Sequence, residues 1–168
     1  VTTGHSTPRP QIPRGIRVLV LDVDGVLTDG RLYFGADGEA LKVFHVRDGY
    51  GIKAVQRAGI DVCVISGRSS AAVERRCREL GIRHLRQGVE DKVTALRELL
   101  AELGRTPAEA ACIVDDTPDV PLMAVVALPV AVADAHPDVH AAAQYVTRAP
   151  GGHGAVRELC DLLIEAAG

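Results

Sequence analysis

The run Ile16-Arg17-Val18-Leu19-Val20-Leu21, followed at once by Asp22-Val23-Asp24-Gly25-Val26-Leu27-Thr28-Asp29-Gly30, decides how this chain is read. A short β-branched run that ends on acids reads as a strand buried on both faces, as in parallel sheets. The two carboxylates at its end are spaced i, i+2, so both can point into one crevice as the chain leaves the sheet. Crowded acids cost free energy unless a cation neutralises them, and an oxygen-only set suits a hard ion such as Mg²⁺.

Outward from this segment the pattern repeats. Ile60 to Ile65 reads as a second buried strand and Ala111 to Val114 as a third, again ending on acids. A further strand is expected near Pro129 to Ala133. Helical spacing is expected over Gly49–Ala58, Ser69–Leu80, Asp91–Leu103, Val120–Val126 and Ala155–Ala166, with Gly59, Gly81 and Gly104 as stops. Between Arg31 and Phe44, two half-apolar runs flank Gly35-Ala36-Asp37-Gly38, which is a hairpin signal. Alternating strands and helices imply right-handed crossovers. The expected fold is α/β, a Rossmann-like doubly wound parallel sheet with a small protruding β-hairpin and no cap domain.

In such sheets the chemistry lies at the carboxyl ends of the strands. Asp22/Asp24, Ser66/Gly67/Arg68 and Asp115/Asp116/Asp119 each follow an apolar strand and should therefore meet on one rim. A phosphate monoester is an anion, so attack on it by a carboxylate needs a metal to offset repulsion. Asp22 is then the covalent nucleophile. Asp24 protonates the leaving oxygen and later activates water. Ser66 offers a hydroxyl and Gly67 an amide, both at the expected head of a helix, for phosphoryl oxygens. Lys92 is a candidate phosphate clamp. Arg68 and Arg76, two turns apart on one helix face, are candidates for a substrate carboxylate.

Composition bounds the alternatives. The 168 residues suit one domain, expected over 15–168, behind a disordered leader or cloning remnant at 1–14 that is rich in Pro, Thr, Ser and Gly. A net charge of −3, with three Tyr, two Phe and no Trp, argues against nucleic acid or an anionic membrane as partner. The four cysteines are scattered without a C-x-x-C pair, which favours a reduced, cytoplasmic setting. The six histidines are dispersed and make poor zinc ligands. A receiver domain carries its acid pair and its phosphorylated Asp on different strands. A dinucleotide site is disfavoured because Gly49-Tyr50-Gly51-Ile52-Lys53-Ala54 does not follow the opening strand.

Asp22 to Gly30 resembles motif one of the haloacid dehalogenase superfamily, in the form used by its capless sugar-acid phosphatases, most specifically the 3-deoxy-D-manno-octulosonate 8-phosphate phosphatases. The likeness runs through Val46-Arg47-Asp48-Gly49-Tyr50-Gly51-Ile52, Ile65-Ser66-Gly67-Arg68, Asp91-Lys92, Asp115-Asp116 and Gly151-Gly152-His153-Gly154. It implies Mg²⁺ held by the carboxylates of Asp22 and Asp115 and the backbone carbonyl of Asp24. It implies substrate contacts from His45, Val46, Arg47, Asp48, Gly49, Lys53, Arg68, Arg76 and Lys92. It further implies a homotetramer in which the hairpins associate and a neighbouring subunit closes the site. The chain departs from the family at Val114, where glycine is usual, and at His45 and His153, where asparagine and arginine are common. Val114 keeps a non-catalytic relative among the readings. The two histidines leave room for another sugar phosphate, such as a nonulosonate 9-phosphate.

Overall fold

A computed structural model describes residues 11–168. The leader expected at 1–14 lies mostly outside the described residues. Ile12, ahead of the expected start at Gly15, packs against the core.

Six strands form one parallel sheet: β1 (Val18–Leu21), β4 (Asp61–Ile65), β5 (His84–Arg86), β6 (Ala110–Val114), β7 (Leu128–Ala131) and β8 (Tyr145–Val146). Their order is β5-β4-β1-β6-β7-β8. The chain builds outward from β1 through β4 to β5, then crosses back past β1 to lay down β6, β7 and β8. The reversal makes the gap between the carboxyl ends of β1 and β6 the switch point, where α/β sheets bind ligands. Two helical layers cover the faces. α1 (Val46–Arg57), α2 (Ala71–Leu80) and α6 (Ala155–Ala167) pack together on one side. α3 (Lys92–Leu103), α4 (Val120–Met123) and α5 (Pro137–Ala142) pack on the other.

Local chemistry explains where the elements stop. α2 and α3 end at Gly81 (φ 74°) and Gly104 (φ 64°), left-handed positions that glycine tolerates best. Asp91 starts α3 by accepting the Thr94 amide, one of the donors a helix leaves unpaired. The central strands are apolar on both faces and fully buried, as their sequences require. The edge strands β5 and β8 were not expected. Their short, half-buried segments carry little periodicity. α1 begins at Val46 rather than Gly49, because His45 caps it by accepting the Arg47 amide.

The hairpin forms where expected but is shorter: β2 (Tyr33–Gly35) and β3 (Gly38–Leu41), joined through Ala36 and Asp37. Leu32, Phe34, Leu41 and Val43 are exposed on it. No described helix is long and apolar enough to cross a membrane.

Candidate active site

At the switch point lies a cleft of about 390 Å³, lined by Asp22, Asp24, Ser66, Gly67, Arg68, Lys92, Asp115 and Asp119, with Gly30, Val89, Glu90, Asp116 and Pro118 completing its wall. All three acid-bearing or polar strand ends expected to converge do so.

The loop after β1 is built to hold its carboxylates still. The Val23 carbonyl accepts the amides of Val26, Leu27 and Thr28, winding the chain into a tight turn. The buried Thr28 hydroxyl accepts the amides of Gly25 and Gly30, each at 3.2 Å. Gly25 has φ +86°, and a Cβ there would stand 1.8 Å from Asp115 Oδ2. Only glycine allows the Asp115 carboxylate to come this close to the nucleophile loop.

Lys92 Nζ reaches Asp22 Oδ1 at 3.0 Å and both oxygens of Asp119 at 2.8 and 2.9 Å. Burial works against the Lys92 ammonium, but Asp22 and Asp119 outweigh it and hold its pKa above the ordinary value. Burial is also the largest influence on Asp22, pushing its pKa up to about 7 against the pull of Lys92. Asp115 rises to about 6, chiefly from burial and then from Asp116 and Asp119. Two carboxylates at the carboxyl ends of neighbouring strands are thus held where ionisation is costly, which is the electrostatic setting of a divalent cation site.

Among the described residues no group of three or more His, Cys, Asp or Glu side chains forms a closed metal cage. Magnesium does not require such a group: it is held by one or two carboxylates and keeps several waters. Asp22 and Asp115, which both line the cleft, could supply the carboxylates for such an ion. The space that glycine at position 25 leaves beside Asp115 supports the fit.

The expected phosphate and substrate residues divide into two groups. Ser66, Gly67, Arg68 and Lys92 line the cleft with Asp24. Ser66 and Gly67 sit in a loop rather than at a helix head, because α2 begins only at Ala71. For the same reason Arg68 and Arg76 share no helix face. Arg76 instead lies over the Phe44 ring and lines a separate small hollow with His45, Asp48 and Gly49. Val46, Arg47 and Lys53 are exposed on α1. Asp48 is buried and accepts the Arg157 amide at 2.9 Å, capping α6, whose own N-cap, Gly154, has no side chain to do so. His153 is exposed and absent from the lining of the catalytic cleft. Val114 is a buried strand residue paired with Ala131, with no positive φ, so replacing glycine there introduces no backbone strain.

Sequence reasoning missed Lys42 and Glu39. Lys42 Nζ lies 2.6 Å from Asp24 Oδ1 and 3.1 Å from Glu39 Oε2. Glu39 also takes Arg68 Nη2 at 3.4 Å and the Ser70 hydroxyl at 3.1 Å. The available signal was the Glu39/Lys42 pair, the two charged side chains among the half-apolar residues of the hairpin's second run.

Comparison with known proteins places the chain among relatives of one family. Residues 85–159 match the family model of the haloacid dehalogenase-like hydrolases. The chain is 54% identical over 153 residues to the 3-deoxy-D-manno-octulosonate 8-phosphate phosphatase of Escherichia coli K12, spanning 91% of this chain and 81% of that protein. The structure of the Yersinia pestis phosphatase of the same name superposes with a TM-score of 0.89 at 54% identity, covering 90% of this chain and 82% of that one. The Moraxella catarrhalis phosphatase, in complex with a magnesium ion, a phosphate ion and a KDO molecule, matches with a TM-score of 0.89 at 40% identity, covering 92% and 88%.

Proposed function

The chain belongs to the 3-deoxy-D-manno-octulosonate 8-phosphate phosphatases of the haloacid dehalogenase-like hydrolases, and from that premise we propose that it hydrolyses 3-deoxy-D-manno-octulosonate 8-phosphate with Mg²⁺ as its metal. It is a phosphoric monoester hydrolase that uses a divalent metal. One observation carries the catalytic reading: Asp22, Asp24, Lys92 and Asp115 meet in one cleft at the sheet's switch point.

The residues divide the work as follows. Asp22 attacks phosphorus in line with the leaving oxygen, giving an aspartyl-phosphate. Asp24 gives a proton to the departing sugar oxygen and then takes one from the water that opens the intermediate. Ser66 and the Gly67 amide bind phosphoryl oxygens, and Lys92 neutralises them while holding Asp22 in place. The bound cation offsets the repulsion between the Asp22 carboxylate and the phosphate dianion. Arg68, which lines the cleft, is suited to the sugar-acid carboxylate.

The exposed Leu32, Phe34, Leu41 and Val43 form an apolar surface with Val46 and Tyr50 nearby in sequence, and a second copy of the chain is the occupant proposed for it. In the resulting tetramer His45, Arg47 and Lys53 would serve a neighbour's cleft, which explains their absence from the cleft of their own chain. The setting proposed is the cytoplasm.

The test is phosphate release from a panel of sugar phosphates, with and without Mg²⁺, on protein sized by light scattering. The expected result is Mg²⁺-dependent release, fastest on octulosonate 8-phosphate, from a tetramer. Faster release from a nonulosonate 9-phosphate would replace the substrate and keep the chemistry. A monomer with full activity would remove the subunit-closure reading.

Magnesium should also act on stability in a pH-dependent way. Asp22 and Asp115 have folded pKa values near 7 and 6, both raised from 3.8. The fold therefore binds protons at these groups more tightly than the unfolded chain does. Their contribution to metal-free stability is full below pH 3.8 and is lost as pH rises through about 6 and then about 7. Protons compete with the cation for the same oxygens. The rise in Tm on adding Mg²⁺ to chelator-treated protein is expected to be larger at pH 8 than at pH 5. Equal rises at the two pH values would contradict binding through these carboxylates.

A further inference from the structure

The hairpin reaches the catalytic cleft of its own chain through a buried cation. Lys42, one residue past β3, is only 3% exposed at its side chain, although its neighbours Leu41 and Val43 face outward. A lysine is rarely buried this far without a partner that requires it there. Its ammonium lies 2.6 Å from Asp24 Oδ1 and 3.1 Å from Glu39 Oε2. Glu39 is in turn fixed by the Ser70 hydroxyl at the start of α2 and by Arg68. Burial would push the Glu39 carboxyl up, but hydrogen bonds from Lys42 and Ser70 outweigh it and hold it below its usual range.

The geometry points to Lys42 as the positioning residue for Asp24: it anchors Oδ1 and leaves Oδ2 to carry the proton exchanged with the leaving group. Among the described residues the ion-pair partner of Oδ2 is the Arg68 guanidinium, at 4.0 Å. Lys42 touches Asp24 but is absent from the cleft lining, where the reacting atoms lie. The inference rests on the phosphatase reading above. In the first step the Asp22–phosphorus bond forms, the phosphorus–oxygen bond to the sugar breaks, and the proton on Asp24 passes to the departing oxygen. In the second, water adds to phosphorus and gives a proton back to Asp24 as the Asp22–phosphorus bond breaks. Lys42 keeps its own protons throughout.

The same contacts give the hairpin a second consequence. Glu39 and Lys42 both lie on the segment whose outer face carries Leu41 and Val43. Whatever fixes the hairpin's outer face also fixes the carboxylate that handles the leaving group.

The experiment exploits leaving-group chemistry. An alkoxide needs a proton as it departs, whereas p-nitrophenolate does not, so a misplaced Asp24 harms sugar phosphates more than aryl phosphates. For Lys42→Met, the ratio of kcat/KM on the sugar acid phosphate to kcat/KM on p-nitrophenyl phosphate, which reads the leaving-group step without the later hydrolysis common to both, is expected to fall by about 10- to 100-fold, the lower range of what a general acid contributes. Asp24→Asn should lower the same ratio, and the double variant should be no worse than Asp24→Asn alone. A structural role would lower both substrates equally, and that result overturns the proposal, as does a double variant in which the losses multiply. If Lys42→Met does not fold, Lys42→Arg carries the test, with the ratio again expected to fall and a uniform loss counting against the proposal. Failure of wild type to release phosphate from either substrate would reject the phosphatase reading. A lowered ratio in Asp24→Asn but not in the Lys42 variants rejects this inference alone.

Discussion

Replacing Asp22 by asparagine is expected to lower kcat at least about 10⁴-fold on every phosphomonoester while leaving the fold intact, the scale of loss seen when a covalent nucleophile is removed. Asparagine keeps the shape of the side chain and an oxygen that can accept the Lys92 proton, now made to Asp22 at 3.0 Å, and the Val23 amide, now at 2.8 Å. What it loses is the anionic oxygen that attacks phosphorus. The fold has no reason to suffer, because burial disfavours the ionised Asp22 and raises its pKa to about 7. Removing that ionisation should leave the metal-free Tm at pH 8 no lower than wild type. The loss should be seen with every leaving group, since alkyl and aryl phosphates alike need the Asp22 oxygen to form the new bond to phosphorus. Kinetics on alkyl and aryl phosphates, with melting curves in chelator, read both parts. Residual turnover within about 100-fold of wild type would mean that another group or a water attacks phosphorus.

Much of this arrangement could be read from the chain because its central strands are buried on both faces. Val18 to Leu21 and Ala110 to Val114 must be apolar throughout, and the first polar residue after each is free to do chemistry. That rule alone located Asp22 and Asp115. It fails at the sheet edges. β5 and β8 are three and two residues long and half buried, so neither alternation nor an unbroken apolar run marks them. It fails also where spacing was carried across a helix boundary. Arg68 and Arg76 look like one face only if the helix begins at Ser69; it begins after Ser70, whose amide instead meets Gln87 Oε1 at 2.9 Å. Lys42 escaped for a different reason. The hairpin's apolar residues suggested which side is covered, whereas within the single chain Lys42 is buried and Leu41 and Val43 are exposed. Long-range ion pairs across 18 and 29 residues, Lys42 to Asp24 and Arg68 to Glu39, leave no local periodicity to read.

The nucleophile loop is held from behind by a second loop, and disturbing that contact should damage stability and catalysis together. A Cβ on Gly151 would stand 1.7 Å from the Gly25 carbonyl oxygen, 2.6 Å from its carbon and 3.3 Å from the Thr28 oxygen. All three are backbone atoms, so no flexible side chain can give way. Neither side is free to retreat: the Gly151 amide donates to Asp134 Oδ1 at 2.9 Å, and the Gly152 amide to the Val26 carbonyl at 2.9 Å. Gly151→Ala is therefore expected to cost about 3 kcal/mol, the upper part of the usual range for overpacking. For a chain of this length that corresponds to a fall in Tm of roughly 6–12 °C. The loop forced to move carries Asp22 and Asp24, and a displacement of about 1 Å at reacting groups lowers kcat by about 10²-fold. Gly104→Ala separates this effect from ordinary backbone strain. Gly104 has φ +64°, and a Cβ added there would meet nothing within 4 Å, so alanine should cost about 1 kcal/mol and leave kcat unchanged. Melting curves and kcat for the two variants decide the matter. If Gly151→Ala loses Tm but keeps kcat, the nucleophile loop holds its geometry without this support. If it loses kcat as well, the glycine pair between β8 and α6 belongs to the machinery that aims Asp22 at phosphorus.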